Sequence, residues 1–113
     1  MKLYMTYRSP YARAVRAALH EKGISFENVS IDFSDKPEEF INTCPAGTVP
    51  ALKINDGLVL GDSYTILQYI DGQYAKPALM PKEDLLKWQA WEWVSLANAM
   101  SDEQGKVFFE KKK

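Results

Sequence analysis

The feature that most constrains the fold is a helix that starts soon after a short apolar strand at the beginning of the chain. Residues 2–5 form the strand, and Ser9-Pro10 then supplies a serine at the N-cap and a proline at the first helical position, where its missing N–H costs nothing. Gly23 is a typical stop for this helix. Strands on either side of a helix are normally parallel, so the chain is predicted to begin as a βαβ unit.

The next residues predict two more strands and two more helices. Residues 26–33 alternate as a strand does, and Glu38–Thr43 has the composition of a short helix. ALKI and LVLG predict strands joined by Asn55-Asp56-Gly57, a sequence suited to positive φ and so to an antiparallel hairpin. Asp62-Ser63 then caps another amphipathic helix. The predicted order βαβαββα, with a mixed four-stranded sheet, is the thioredoxin-like α/β fold.

The chain after this domain has a different composition. Residues 1–74 hold the predicted sheet and helices, and residues 75–81 contain two prolines and are predicted to be a linker. Within residues 82–113 we expect one helix from Glu83 to Met100, followed by a polar tail. Three tryptophans lie close together on that helix and need a surface to pack against, either on the first domain or on a second subunit of a homodimer; a platform for a ligand is a further alternative.

Charge and cysteine content exclude several classes of protein. The 113 residues carry a formal net charge of −1, which argues against nucleic acid and against an anionic membrane as partners. A single cysteine, Cys44, excludes an intramolecular disulfide, and with no apolar run long enough to cross a bilayer we expect a cytoplasmic protein. One histidine, His20, and one cysteine make a metal site unfavourable.

The start of the first helix is similar to a redox motif that lacks its thiols. Thioredoxin-like oxidoreductases carry Cys-Pro-Tyr-Cys at this point, because the positive end of the helix favours a thiolate. Here the sequence is Ser9-Pro10-Tyr11-Ala12, so both cysteine positions are occupied by other residues. A disulfide reductase of the glutaredoxin type is therefore disfavoured.

Three stretches resemble one family when they are taken together. SPYARAVRAALHEKGISFE, CPAGTVPAL and LVLGDSYTILQYID resemble the N-terminal, glutathione-binding domain of the glutathione transferases, especially bacterial and plant members with an active-site serine. They have the order and spacing of that domain over residues 2 to about 74. The resemblance implies that glutathione is the co-substrate, that no metal is used, and that the glutathione thiolate attacks an electrophilic small molecule.

The resemblance assigns the thiolate to Ser9. A hydroxyl together with the positive end of a helix can stabilise a thiolate that the substrate itself brings. Ser9 is also a good N-cap, and this structural role alone would explain a serine here. Tyr7 is the alternative hydroxyl, because tyrosine-type family members carry theirs at the end of the first strand. Arg13 is a candidate for electrostatic support of the thiolate.

The loop before the third strand is predicted to hold the peptide part of glutathione. Pro50 is a candidate for a cis peptide bond, and an extended Val49 beside it offers its backbone N–H and C=O to a peptide laid alongside. In family members the corresponding valine pairs with the cysteinyl part of glutathione. A lysine often precedes that valine and meets the glycyl carboxylate, whereas this chain has Thr48. Lys36 and Asn42 are alternatives that the sequence does not place near the site.

The start of the third helix is predicted to hold the γ-glutamyl end. Asp62 or Ser63 could simply cap the helix, but free N–H groups at a helix start also bind a carboxylate. The resemblance implies that Ser63 binds the γ-glutamyl carboxylate and that Asp62 lies near its amine.

Two functions remain open at this stage. The first is a serine-type glutathione transferase, or its glutathione-binding domain. Family enzymes continue into an all-helical domain that supplies the electrophile pocket, and residues 82–113 resemble only its start. The alternative is a non-catalytic thioredoxin-fold module of the transferase-like type that uses the same surface to bind another protein.

Overall fold

The computed structural model describes residues 1–74 and 76–111, without the side chains of residues 105 and 107–111. It has the thioredoxin-like order βαβαββα followed by one C-terminal helix, as the sequence predicts. The elements are β1 (Lys2–Met5), α1 (Pro10–Glu21), β2 (Glu27–Ser30), α2 (Glu38–Thr43), β3 (Ala51–Asn55), β4 (Leu58–Leu60), α3 (Ser63–Gln73) and α4 (Asp84–Lys111).

The sheet is mixed, with strand order β2-β1-β3-β4. Strand β1 is parallel to β2 and antiparallel to β3, and β3 is antiparallel to β4. Strands β1 and β4 therefore point the same way, and the helices that follow them, α1 and α3, both begin at the same edge. Strand β3 also begins there, because Ala51 pairs with Tyr4 near the end of β1. We call this edge, marked by Met5, Ala51 and Leu60, the upper edge.

The two faces of the sheet pack against different helices. Tyr4 packs with Phe40 of α2 in a cluster that also includes Ile31, Cys44 and Ala51. Because neighbouring side chains on a strand point to opposite faces, the buried Leu3 and Met5 lie on the other face. The helices α1 and α3 pack against each other, and α3 contacts β3. The sheet is thus covered on both faces by amphipathic helices.

Two local features differ from the sequence expectation. Strand β2 covers only Glu27–Ser30, whereas a longer strand over residues 26–33 was expected. The β3–β4 hairpin forms without positive φ at Gly57; the positive values belong to Gly23 and Gly47. Instead, the Gly57 N–H donates to Asn55 Oδ1 at 2.8 Å, so a side chain closes the turn.

The chain divides into two compact units, Met1–Ala78 and Leu79–Lys113. The first contains the sheet and α1 to α3, and the second contains α4. Helix α4 continues to Lys111, past Met100, where we expected a polar tail to begin. The added segment lacks proline and is rich in Glu, Gln and Lys, which favour helix. Part of the predicted linker (Ala75) and the last two residues lie outside the described residues.

None of the helices described here has both the length and the apolar composition that crossing a bilayer requires.

Candidate active site

Ser9 is the N-cap of α1, as predicted. Its backbone is extended, and its Oγ accepts a hydrogen bond from the Ala12 N–H at 3.1 Å. Pro10 occupies the first turn, and no acidic residue lies there to offset the positive end of the helix. The capping bond uses a lone pair of Oγ, so the hydroxyl proton is still available for donation. The half-buried Ser9 can therefore cap the helix and donate to an anion at the same time.

Tyr7, the alternative hydroxyl, is 65% exposed. The Arg16 guanidinium lies over its ring, 4.8 Å from the ring centre, and the phenol oxygen accepts a long hydrogen bond of 3.5 Å from Asn28 Nδ2. Arg13 is exposed on the first turns of α1. Arg16 thus lies against Tyr7, and Tyr7 makes contacts of its own on β2 and α1.

The loop before β3 confirms one prediction made from the sequence. The Val49-Pro50 peptide bond is cis. Pro50 is buried, and the Val49 side chain packs against the cluster around Tyr4. The β1–β3 ladder begins at Ala51, so the backbone of Val49 lies outside it. Thr48 is exposed next to it.

Gly47 and Lys36 meet at this loop. The Gly47 N–H donates to the Cys44 carbonyl at 2.9 Å, and Gly47 has a φ of +68°, which favours glycine. A Cβ built on Gly47 would lie 3.6 Å from Lys36 Nζ, which also sits 5.5 Å from the ring centre of Phe33. The structure therefore brings Lys36 to the residue before Thr48, which the sequence could not establish. Asn42 lies exposed on α2.

Asp62, rather than Ser63, caps α3. Its Oδ2 accepts from the Thr65 N–H at 3.1 Å and from the Thr65 hydroxyl at 3.2 Å. Ser63 is the first helical residue and is buried. An N–H at this position has no partner within the helix, because the first four N–H groups lack an acceptor one turn earlier. Asp62 itself remains exposed.

These three segments meet at one edge of the sheet. Ser9 follows β1, Val49-Pro50 precedes β3, and Asp62-Ser63 follows β4, so all three lie at the upper edge. Two helix starts and the backbone of Val49, which lies outside the β1–β3 ladder, together offer N–H donors and a backbone acceptor along this edge. This arrangement suits a short peptide that places one negatively charged group at each of the two helix starts.

Cys44 lies just before the loop and does not resemble a nucleophile. The thiol is free and buried, and burial raises its pKa above the ordinary value. Across the described residues, no three His, Cys, Asp or Glu side chains gather as the ligands of a metal ion do.

A hydrogen-bonded cluster between β1 and α2 was not predicted from the sequence. The buried Tyr4 hydroxyl donates to Glu39 Oε1 at 2.7 Å, and Lys2 Nζ donates to the same oxygen at 2.6 Å. The Lys2 and Tyr4 hydrogen bonds lower the pKa of Glu39. The bond to Glu39 in turn raises the pKa of Lys2. The cluster ties β1 to α2, the helix that leads into the Val49-Pro50 loop.

A second unforeseen contact joins α1 to α3. Lys22, whose side chain is fully buried, forms an ion pair with Asp71 at 2.9 Å and donates to the Tyr74 carbonyl. A lysine that follows a helix usually points into solvent, so the sequence carried no signal for this contact.

Comparison with known proteins supports one family. Residues 3–78 match the family model described as glutathione S-transferase, N-terminal domain. The chain is 40% identical over 88 residues to glutathione S-transferase Z2 of Arabidopsis thaliana, which covers 74% of this chain and 38% of that protein. It is 38% identical over 80 residues to a stringent starvation protein A homolog of Haemophilus influenzae, covering 71% of this chain and 37% of that protein.

A solved structure agrees over nearly the whole chain. The glutathione S-transferase of Methylobacillus flagellatus, determined with GSH bound, superposes with a TM-score of 0.90 at 32% sequence identity. The match covers 99% of this chain and 55% of that one. Of the two curated relatives named above, the chain spans only about two-fifths of the length. On the family match, the fold and the three segments at the upper edge, this chain belongs to the glutathione S-transferase family, and it corresponds mainly to the N-terminal, thioredoxin-like domain of that family.

Proposed function

We propose that this protein binds glutathione at the upper edge and stabilises its thiolate for attack on an electrophilic small molecule. The observation that carries the proposal is the meeting of two helix starts, α1 and α3, with the backbone of Val49 at one edge of the sheet. A relative with the same fold was solved with GSH bound, and this supports the choice of ligand.

Ser9 is the proposed donor to the thiolate. A thiol with a pKa of about 8.5 is only a few per cent ionised at neutral pH, and lowering that pKa by about 2 units takes about 2.7 kcal/mol. A helix start contributes about 0.3–2 kcal/mol, and a hydrogen bond to a charged group contributes about 1.5–3 kcal/mol. The helix start and the hydrogen bond from the Ser9 hydroxyl together therefore suffice to lower the thiol pKa by this amount. Tyr7 is the rival donor, and Arg13 adds positive potential.

The peptide of glutathione is proposed to lie along the loop before β3. Val49 would pair its backbone with the cysteinyl residue, in the manner of an added antiparallel strand, with Pro50 and Thr48 on either side. Lys36, beside Gly47, is the proposed cation for the glycyl carboxylate. This assignment offers a reason why Thr48 can stand where relatives often carry a lysine.

The γ-glutamyl end is proposed to lie at the start of α3. Its carboxylate would accept from the Ser63 N–H and hydroxyl, where the helix start favours an anion. The two capping bonds of Asp62 both use Oδ2, and the other carboxylate oxygen is proposed to meet the ammonium. One helix start thus recognises both charges of the same group.

The proposed reaction follows from these contacts. The glutathione thiol releases its proton to solvent, and the sulfur then forms a bond to the electrophilic atom of the second substrate. Any leaving group departs with the electron pair of the bond that breaks. The chain stabilises and orients the glutathione thiolate. Catalysis rests on this thiolate rather than on a nucleophile of the protein.

A calorimetric titration of glutathione into the purified protein tests the binding step. We expect saturable binding by the wild type and about tenfold weaker binding by Asp62→Asn, because that variant keeps a capping oxygen but loses the charge that meets the ammonium. Asp56→Asn, at the exposed hairpin turn, is the matched control and should bind as the wild type does. A folded wild-type protein that does not bind glutathione would contradict the proposal.

A second candidate function is a non-catalytic module that binds another protein. It is favoured by the similarity to a relative named as a starvation protein homolog and by the exposed tryptophans of α4. The thiol pKa of bound glutathione separates the two functions. A value lowered well below that of free glutathione supports the transferase, whereas an unchanged value or absent binding favours the module.

A further inference from the structure

Lys22 holds a buried charge at the ends of two helices, away from the upper edge. Its side chain is fully buried, while Asp71 keeps 20% of its side-chain surface exposed. The ammonium reaches Asp71 Oδ1 at 2.9 Å and the carbonyl of Tyr74, the residue that ends α3. Lys22 itself directly follows the last residue of α1. One side chain thus joins the C-terminal ends of both helices.

Helices α1 and α3 run in the same general direction. They begin at the same edge of the sheet, they pack against each other, and they have 12 and 11 residues. At 1.5 Å per residue each is roughly 17 Å long, so their far ends also fall side by side. The near ends carry Ser9 and Asp62-Ser63, the two sites proposed for the thiolate and the γ-glutamyl group.

A buried ammonium is an expensive way to join two helices. An apolar side chain would fill the same space without removing a charge from water, so the charge indicates a role that packing does not supply. The ammonium makes directed bonds to two separate acceptors on the last turn of α3. Such bonds restrict the angle and register between helices more narrowly than apolar contact does.

We propose that Lys22 is a positioning residue that sets the distance between the thiolate site and the γ-glutamyl site. A change of a few degrees between two helices that are joined at one end moves the other ends by roughly 1 Å. Glutathione contacts both near ends, so this displacement weakens its binding and misaligns Ser9 with the sulfur. The ligand part of this inference rests on the proposed function; the geometric part does not.

Lys22→Met and Asp71→Asn test the inference. The first removes the ammonium at similar volume, and the second keeps an acceptor while it removes the carboxylate charge. Lys53→Met is the matched control, because it removes a half-buried lysine of β3 that pairs with the exposed Asp56 of the hairpin. Folding of each variant is verified by circular dichroism, and all measurements are made well below the unfolding temperature.

The first measurement uses the ligand-free protein and amide NMR shifts. We expect Lys22→Met and Asp71→Asn to shift the amides of Ala12 and Thr65, which bond to the caps at the near ends of the helices. A role in stability alone would change only amides near the substituted residue. Shifts confined to the far ends in both variants would overturn the inference.

The second measurement is glutathione affinity together with the thiol pKa of bound glutathione. We expect both variants to bind roughly fivefold more weakly or worse, with a raised thiol pKa, while Lys53→Met behaves as the wild type. Wild-type affinity and pKa in both variants would overturn the inference and leave the proposed function intact. If the wild type does not bind glutathione, the proposed function fails, and shifts at Ala12 and Thr65 still support the positioning role.

Discussion

The Ser9 hydroxyl has two hydrogen-bonding roles in the proposed site, and they use different parts of the group. Its oxygen accepts from the Ala12 N–H, and its proton is free to point at a sulfur anion. Accepting the amide bond also polarises the hydroxyl and strengthens what it can donate. A residue that caps a helix and a residue that stabilises a thiolate can therefore be the same serine.

Substitution of Ser9 separates these two roles. We expect Ser9→Ala and Ser9→Gly to raise the thiol pKa of bound glutathione by roughly 1–2 units, because each loses the donor to the anion. Only Ser9→Ala should also lose about 1 kcal/mol of stability, since glycine is a better N-cap than alanine. The thiol pKa is measured from thiolate absorbance against pH, and stability from urea unfolding.

Tyr7→Phe is the control for the rival hydroxyl. It should leave the thiol pKa near the wild-type value, because Tyr7 is 65% exposed and is not the residue that caps the positive start of α1. A raised pKa in Tyr7→Phe with no change in Ser9→Gly would assign the thiolate to Tyr7 instead.

At the level of elements, the Lys2, Tyr4 and Glu39 cluster fixes α2 to β1. The two donors share a single oxygen of Glu39, and Lys2 also lies 3.6 Å from Glu27 of β2. Helix α2 is only six residues long, too short to be stable without such contacts. The cluster therefore helps to hold the loop that follows α2, in which Val49 lies.

Acid should weaken this cluster. The pKa of Glu39 is lowered in the folded protein by the Lys2 and Tyr4 hydrogen bonds, so its contribution to stability is present above the ordinary value of 4.5 and is lost as pH falls through the folded value. We expect Glu39→Gln to be less stable than the wild type at neutral pH, with the difference shrinking below 4.5. Urea unfolding at a series of pH values measures it.

Two further variants sharpen this test. Tyr4→Phe removes a buried donor and should cost about 1.5–3 kcal/mol, as expected for a hydrogen bond to a charged group. Glu38→Gln changes the neighbouring exposed carboxylate in the same first turn and serves as the matched control. A gap between wild type and Glu39→Gln that stays constant in acid would contradict the assignment.

Sequence distance separates what could be predicted from what could not. The caps at Ser9 and Asp62 are closed by residues three positions away, so the local sequence contained both partners. The bond from Tyr4 to Glu39 spans 35 positions, and the bond from Lys22 to Asp71 spans 49. Such pairs exist only once the sheet has brought their elements together, and charged residues of these types are ordinarily solvent-exposed.

The hairpin and Lys36 illustrate the same limit on a smaller scale. Asn55-Asp56-Gly57 predicted a turn correctly, but the choice between positive φ and closure by the Asn55 side chain depends on the twist and register of the strands. Lys36 could be named as a candidate cation, yet its approach to Gly47 depends on the packing of Phe33 and α2. Motifs were readable from the sequence, and distances between them were not.

At the level of the whole molecule, α4 differs from the first unit in how its apolar side chains are arranged. Trp88 is 66% exposed and Trp93 is 70% exposed, and Leu85, Leu96 and Met100 are also largely exposed. Residues five positions apart point roughly 140° away from each other on a helix, so the two tryptophans lie on different sides of it. Large apolar groups exposed on several sides of one helix favour association with another surface.

We expect the protein to self-associate in a concentration-dependent way through α4. Sedimentation velocity over a wide range of concentrations should show a reversible shift from monomer to dimer or larger species. Trp88→Lys and Trp93→Lys should each weaken the association, and the double variant should abolish it. Each lysine replaces aromatic area that association would bury with a charge that must stay hydrated. Gln89→Lys adds the same charge to the same helix at an exposed polar position and should leave association unchanged.

Since all residues of the proposed glutathione site lie in the unit Met1–Ala78, the double variant should still bind glutathione as the wild type does. A wild-type protein that stays monomeric at all concentrations would contradict this role of α4, and loss of glutathione binding in a monomeric, folded double variant would show that the site depends on the second protomer.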